Sequence, residues 1–234
     1  MFSTYTTPRR PQDSQNISPD YSSSALDHRQ RFTYAAVYTL PIFQQSGTNW
    51  FLKNLVGNWD IAPIYTYQTG TLATAQSGVD SNLNGDTAGD RTIINTGGNP
   101  SLGSGVTALT NSAGQTVAYL ANNPGAEYIV APKGTLANGG RNTLQLNPID
   151  DIDLSLIKKF SITERAKIQF GIRATNIFNH PQYTGGFLND VAPNGQTSTN
   201  VHNALIPSAS TFEQWSQVFS SNPRSVQLSA KFTF

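Results

Sequence analysis

Hydrophobic and polar residues alternate in five stretches of this chain, and a period of two is the pattern of β-strands. The first two stretches cover 28–41 and 56–70, and the three most regular ones cover 150–160, 166–178 and 224–234. In these last three, apolar residues share one face and polar residues the other. The apolar positions are Ile152, Leu154, Leu156 and Phe160; Ala166, Ile168, Phe170, Ile172 and Ala174; and Val226, Leu228, Ala230, Phe232 and Phe234.

Pro63 interrupts the second stretch, which otherwise alternates from Trp59 to Tyr67. Proline has no N–H to donate to a neighbouring strand, so it disfavours a regular central strand. We expect a β-bulge at this position.

The connectors between these stretches differ in length. Those at 41–54 and 161–165 are short, whereas those at 71–149 and 179–223 are long and polar. If the strands run up and down, both short connectors lie at one end of the sheet and both long ones at the other. Outer-membrane barrels have this asymmetry, although four connectors can also sort in this way by chance.

Two further segments are assigned from local pattern alone. Residues 1–27 are polar and contain three prolines, which predicts a loop or a frayed arm. The short apolar piece at 127–131 predicts a hairpin within the first long connector.

Composition narrows the class of protein. Charged residues make up 12% of the chain, against about 25% in typical soluble domains. A net charge of +1 gives no electrostatic footprint for nucleic acid. The absence of cysteine excludes disulfides and Cys-type zinc sites, and no apolar run is long enough for a transmembrane helix.

The first thirty residues have no apolar core behind a basic start, so they are not a signal peptide. If the protein acts outside the cytoplasm, we expect this chain to lack its own beginning.

Four short motifs occur in order along the second half of the chain: Gly140 to Thr143, Asp153 to Leu156, Thr163 to Arg165 and Phe178 to Pro181. This order resembles the C-terminal barrel segment of TonB-dependent outer-membrane receptors, in particular the Oar-like subfamily. The resemblance covers about residues 25–95 and 138–234.

The resemblance implies an all-β fold of antiparallel, up-and-down strands: a C-terminal partial transmembrane β-barrel of about five or six strands in the outer membrane of a Gram-negative bacterium. Residues 28–234 are the barrel segment, with long extracellular loops at 71–149 and 179–223. The whole receptor takes up a large, unknown ligand. The implied partners are outer-membrane lipid, the barrel-assembly machinery and, through an N-terminal part that this chain lacks, the TonB complex. No cofactor is implied.

The closing strand resembles the signal that the barrel-assembly machinery reads, with Phe234, Phe232, Ala230 and Leu228 as its apolar anchor; the alternative is an ordinary last strand of a soluble sheet. In the barrel interpretation the polar residues Asp151, Asp153, Gln169 and Arg173 face a wet lumen, and Lys158 and Lys159 could neutralise the aspartates nearby. Six aromatic residues are candidates for the girdles at the membrane interfaces, or for the core of a sandwich: Tyr34, Tyr38, Trp59, Tyr65, Tyr67 and Phe178.

Residues 80–91 begin like a calcium-binding loop, because alternating oxygen ligands and a glycine suit a hard cation. The twelfth position holds Arg91 instead of the usual glutamate, and Asn-Gly-Asp is also common turn chemistry. Both interpretations stay open for Asp80, Asn82, Asn84, Asp86 and Asp90.

Catalytic motifs are absent from the sequence. His28, His180 and His202 are far apart, and neither a nucleophile elbow nor a phosphate-binding loop occurs. We therefore expect no enzyme activity, which leaves a secreted hydrolase as the weakest alternative. The main alternative to the barrel is a secreted, soluble β-sandwich with a binding or adhesion role.

Overall fold

The structure, a computed structural model, describes residues 11–43, 45, 47, 49–85, 87, 90–163, 165–182, 204–215 and 223–234. The chain divides into two compact units. The sheet unit consists of Arg29–Thr69, Pro148–Gln182 and Ser221–Phe234, and the loop unit consists of Met1–His28, Gly70–Asn147 and Tyr183–Ser220.

The sheet unit is a single six-stranded antiparallel sheet. Its strands are spatial neighbours in sequence order, except that β2 (Tyr38–Thr39) continues the line of β1 (Arg31–Ala35) and pairs with the same neighbour, β3 (Trp59–Gln68). In the described chain, β1 and β13 (Ser225–Thr233) are the two edge strands. They do not pair with each other, so the sheet is open. The strands are β1 (Arg31–Ala35), β2 (Tyr38–Thr39), β3 (Trp59–Gln68), β11 (Ile149–Ser161), β12 (Lys167–Thr175) and β13 (Ser225–Thr233).

The register between these strands is regular. Leu156 lies opposite Ile61 on one side and Ile172 on the other, and Ile172 lies opposite Leu228. Because side chains alternate along each strand, this register brings the apolar positions of every strand onto the same face. The period-two pattern therefore predicted both the strands and their common apolar face.

The predicted bulge at Pro63 is wrong. Ala35 pairs with Ile64, and Tyr38 pairs with Ile61, so the register continues unchanged past the proline. The N–H of Ala36 donates to the carbonyl of Pro63 at 3.2 Å, but Pro63 has no N–H to return. The ladder loses a hydrogen bond there, which is why β1 and β2 are separate segments of one line.

Short connectors close one end of the sheet. The helix α1 (Trp50–Leu55) precedes β3, and the side chain of Asn49 caps it by accepting from the N–H of Phe51. A tight turn at 162–166 joins β11 to β12, with the N–H of Ile162 bonded to the carbonyl of Ala166. The side chain of Asn54 accepts from the N–H of Ser161 at 2.9 Å, which ties these two connectors together.

Within its described residues, the loop unit has seven short strands, so the first long connector is not structureless. Three small sheets form, with orders β10-β4, β5-β9-β6 and β7-β8. The strands are β4 (Leu72–Ala73), β5 (Ile93–Ile94), β6 (Asn99–Ser104), β7 (Val106–Thr110), β8 (Thr116–Ala121), β9 (Ala126–Ile129) and β10 (Leu144–Gln145).

The apolar piece at 127–131 lies largely in β9, but the predicted hairpin does not form. β9 pairs antiparallel with β5 and parallel with β6, both of which lie well upstream in the chain. A small core supports this arrangement, made of Ala73, Ala75, Tyr128, Leu144, Leu146, Ala204, Leu205, Phe212 and Trp215.

The described part of the N-terminal arm, from residue 11, is an ordered loop and not a frayed end. The side chain of Gln12 is buried; it donates to the carbonyl of Ala137 and accepts from the N–H of Arg91. A short 3₁₀ helix follows at Ser18–Asp20. The guanidinium of Arg91 donates to the carbonyl of Pro19 at 2.8 Å.

None of the described helices is long and apolar enough to cross a membrane.

Candidate functional site

One face of the sheet is apolar and exposed. It carries side chains from every strand, and many of them are more than half accessible, among them Leu228 at 75%. A contiguous exposed apolar surface of this kind marks contact with another apolar phase. Its exposed members include Phe32, Tyr34, Tyr38, Phe170, Ile172, Val226, Leu228 and Phe232.

The opposite face is polar and charged. The pairing register places Asp151, Asp153, Gln169 and Arg173 together on it. The guanidinium of Arg173 lies 3.7 Å from the carboxylate of Asp153, and Asp153 also accepts from the N–H of Asn176 at 3.0 Å. The four predicted lumen-facing residues therefore share one surface.

The lysines do not neutralise the aspartates as expected. Lys159 forms its ion pair with Asp60 on β3, and the hydroxyl of Thr39 donates to the same carboxylate at 2.8 Å. Arg173 is the partner of Asp153 instead. Cross-strand register decides these pairs, which the sequence of one strand cannot show.

Lys158, which the sequence suggested only as a neutraliser of the aspartates, has a structural role on the opposite face. It lies on the apolar face, where it is 5% exposed, and its ammonium donates to the carbonyl of Gly57. The ammonium also lies 5.2 Å from the ring centre of Trp59 and 5.1 Å from that of Phe160. The strict alternation from Ile152 to Phe160 already placed Lys158 on this face, so its parity was the available signal.

Five of the six candidate interfacial aromatics lie on the apolar face. Trp59 lies near the end of the sheet with the short connectors, and Tyr38 lies one row further in. Tyr34 and Tyr65 pair directly across β1 and β3 towards the other end, next to Tyr67. Phe178, the sixth, follows the end of β12 and is exposed.

The distance between the two aromatic levels is comparable to the height of the apolar band of an outer-membrane barrel. Eight residues separate Trp59 from Tyr67, which is roughly 26 Å along a strand. With a strand tilt of about 40°, the separation across a bilayer is about 20 Å, close to the apolar band of outer-membrane barrels.

The C-terminal strand β13 is an exposed edge. Phe232, Ala230 and Leu228 lie on its apolar side, opposite Ile168, Phe170 and Ile172 of β12. Phe234 follows the strand and is 93% exposed, with its ring stacked on Phe232 at 5.7 Å between centres.

In the calcium-like segment, backbone donors surround the carboxylates. Asp80 accepts from the N–H groups of Asn84 and Gly85 at 3.0 and 3.1 Å. The side chain of Asn82 also accepts from Asn84, and Asp90 accepts from the N–H of Asn82. Asp86 lies outside the described residues. Within the described chain, no group of three or more His, Asp or Glu side chains is placed to hold a metal, so calcium binding stays a prediction.

The loop unit contains two carboxyl groups with raised pKa values. Burial is the main cause for Asp90, whose pKa is raised to about 6, and one of its carboxylate oxygens has no hydrogen-bond partner among the described residues. Burial, followed by the charge of Glu127, raises the pKa of Glu213 to about 7. Burial also lowers the pKa of Arg91, which lies 3.5 Å from Asp20.

The histidines do not form a catalytic group in the described structure. The backbone N–H of His180 donates to the side chain of Asn176, and its ring lies 5.9 Å from that of Phe178. His202 lies outside the described residues.

An antiparallel sheet with an exposed apolar face, aromatic levels at both ends and a charged opposite face defines a membrane-spanning β-barrel protein. A family model described as an outer membrane beta barrel domain matches residues 2–227. The chain belongs to this family, so it forms barrel wall in the outer membrane of a Gram-negative bacterium. The soluble sandwich alternative is thereby overturned. No curated protein and no solved structure gives a match.

Proposed function

We propose that the chain is the C-terminal barrel segment of a TonB-dependent outer-membrane receptor of the Oar-like subfamily. The observation that carries this proposal is how the family-like motifs fall on the fold. Asp153 to Leu156 lie within β11, Thr163 and Arg165 lie between β11 and β12, and Phe178 to Pro181 begin three residues after the end of β12. Three of the four motifs thus follow one another through a strand, a turn and a strand exit of the same sheet, while Gly140 to Thr143 lies in the loop unit; this order supports a shared barrel architecture.

In this role the polar face lines the lumen and the loop unit provides extracellular ligand-selecting segments. Uptake of a large ligand is energised by the TonB complex through a part of the receptor other than this chain. The chain contributes wall, loops and an assembly signal and catalyses no reaction. The loop unit's small core and buried polar contacts support a folded ligand-contacting region.

The assembly role belongs to β13. An exposed strand edge offers unpaired backbone groups to the barrel-assembly machinery. Phe234, Phe232, Ala230 and Leu228 add an apolar, partly aromatic anchor beside that edge.

The test is the size and partner of the gene product in its own bacterium. An antibody against residues 99–122 should detect an outer-membrane protein much larger than 25.3 kDa, and crosslinking in intact cells should join that protein to TonB. A 25 kDa product, or a larger one that never crosslinks to TonB under conditions in which a known receptor does, would rule the receptor out and leave the barrel wall unaffected.

A further inference from the structure

A cavity of about 260 Å³ opens on the polar face of the sheet unit, above Gly171. Ser155, Ile157, Arg173, Gln227 and Ser229 line it. A Cβ atom at position 171 would lie 2.5 Å from the hydroxyl oxygen of Ser229. Glycine at 171 therefore lets the Ser229 side chain approach the β12 backbone, and the cavity lies beside this contact, lined by residues of β11, β12 and β13.

The polar groups around this cavity are available to a ligand. Within the described chain, the side chains of Ser155 and Gln227 make no hydrogen bond, and the hydroxyl of Ser229 reaches only the carbonyl of Gly171 at 3.4 Å. That distance is at the weak end of hydrogen bonding. Unused donors that converge on a cavity are what a binding site requires.

A larger cavity in the loop unit differs from the Gly171 cavity, because its polar groups are already bonded. It measures about 530 Å³ and is lined by Gln12 and Asn82, among others. The side-chain amide nitrogen of Gln12 donates to Ala137 and its oxygen accepts from Arg91, and the side chain of Asn82 donates to the backbone carbonyl of Gln12. Its polar groups hold the loop unit together and are not free for a ligand.

Arg173 supplies the charge at the Gly171 cavity. Its side chain is 55% exposed, and its nearest carboxylate, Asp153, lies 3.7 Å away, beyond hydrogen-bond distance. A guanidinium has five donors in a planar fork that matches a carboxylate. Most of these donors remain unused in the described contacts.

The surrounding face has an excess of basic residues, although it also carries Asp60, Asp151 and Asp153. The register places Lys159, Lys167 and Lys231 on the same face of β11, β12 and β13 as Arg173. Lys159 is paired with Asp60, and no carboxylate in the described chain lies within ion-pair distance of Lys167 or Lys231. This potential concentrates anions near the cavity.

We propose that the Gly171 cavity binds a carboxylate group, with Arg173 as its charged donor and Gln227 and the serine hydroxyls as neutral donors. Asp153 already compensates part of the Arg173 charge, so the cavity suits a singly charged carboxylate better than a phosphate dianion. The carboxylate can belong to a small solute or to an acidic side chain of a polypeptide, because the cavity admits the same group from either.

The test uses the full chain folded in detergent micelles, with ¹⁵N-labelled arginine side chains observed by NMR. The Arg173 signal, assigned with Arg173→Lys, should shift saturably with sodium propionate at constant ionic strength. Propionamide, the neutral isostere, and chloride should leave it unmoved. A linear shift without saturation, or an equal shift with chloride, would overturn the site.

Variants separate the cavity from the general charge of the face. Gly171→Val fills the cavity with a residue that strands favour, and we expect at least a tenfold loss of propionate affinity. Ser229→Val, on the edge strand, gives the same result should the first variant not fold. Lys231→Gln removes a charge from the same face outside the cavity and should change the affinity less than twofold; equal losses in both variants would refute a discrete site.

A second ligand, the α-amide of N-acetylglutamate, distinguishes the two sources of the carboxylate by its affinity relative to propionate. Affinity about tenfold above that of propionate identifies a polypeptide side chain, and equal affinity identifies a small solute. Both results require saturable binding that Gly171→Val weakens at least tenfold. If neither ligand binds, the proposal is contradicted.

Discussion

Burial raises the pKa of two carboxyl groups of the loop unit above the values they have in the unfolded chain. Glu213 has an ordinary pKa of 4.5 when unfolded and about 7 when folded. Between these values the folded state binds more protons than the unfolded state, so the free energy of unfolding falls as pH rises. Above pH 7 the loss is complete. Asp90 contributes in the same direction between its ordinary 3.8 and about 6.

We therefore expect the loop unit to be more stable at pH 5 than at pH 8, with Glu213 accounting for at most about 3 kcal/mol. Glu213→Gln should flatten this dependence above pH 6. Glu127→Gln removes the neighbouring charge and should shift the transition to lower pH without abolishing it. Hydrogen exchange of residues 204–215, corrected for intrinsic rates, measures both effects. Unchanged pH dependence in Glu213→Gln would contradict the assignment.

Lys158 stabilises the apolar face although it is charged. Its stem is buried, and its ammonium satisfies the carbonyl of Gly57 between two aromatic rings. Lys158→Met keeps the stem but leaves that carbonyl unpaired, so we expect a loss of about 1–3 kcal/mol.

Urea unfolding in lipid vesicles measures that loss. Lys167→Met, on the polar face, should cost less than about 0.5 kcal/mol and serves as the matched control. Equal stability of Lys158→Met and the unsubstituted protein would show that Lys158 is only tolerated on this face.

Pro63 accounts for the interruption between β1 and β2. Because its carbonyl accepts from Ala36, its ring nitrogen also faces β1, and the pairing of β3 with β11 is unaffected. Pro63→Val restores an N–H that can donate to the carbonyl of Ala36. We expect about 1 kcal/mol of added stability and slower amide exchange at residues 35–39. Ala62→Val, which changes no ladder hydrogen bond, is the control, and faster exchange in Pro63→Val would contradict this explanation.

The last strand carries a prediction about assembly. Deleting Phe234 removes the exposed aromatic anchor next to the free edge of β13. We expect the amount of heat-modifiable protein in the outer membrane to fall at least fivefold, while Thr233→Ser has little effect. Normal assembly without Phe234 would remove this residue from the signal.

The sheet was predictable from sequence because each strand must keep one face apolar. That requirement makes the alternation continuous, and the predicted stretches at 150–160 and 224–234 agree closely with β11 and β13. The bulge at Pro63 was a wrong prediction because the loss of one hydrogen bond is tolerated without a shift of register.

The loop unit was not predictable in the same way. Its strands are two to six residues long, too short to show a period. Its interior includes buried polar side chains such as Arg91 and Gln76. The contacts that hold them, such as Gln12 with Ala137 and Arg91, join residues that are far apart in the chain, and no local pattern encodes such contacts.

At the scale of the whole molecule, the central claim is that the sheet has one face in lipid and the other in water. Low charge and a largely apolar face, whose charged members include Asp150 and Lys158, are both consequences of this arrangement, because charge on the lipid side costs a few kcal/mol per residue near the membrane centre. β12 follows this rule. Its charged residues, Lys167 and Arg173, both lie on the polar face.

The most direct test is spin-label accessibility along β12, since the protein has no cysteine and single-cysteine variants can be labelled without background. In outer-membrane vesicles, labels at 168, 170, 172 and 174 should be relaxed mainly by oxygen, which dissolves in lipid. Labels at 169, 171 and 173 should be relaxed mainly by a water-soluble nickel complex. Accessibility that alternates with a period of two in opposite phase for the two reagents is the predicted result; nickel access at every position would contradict a membrane-spanning wall.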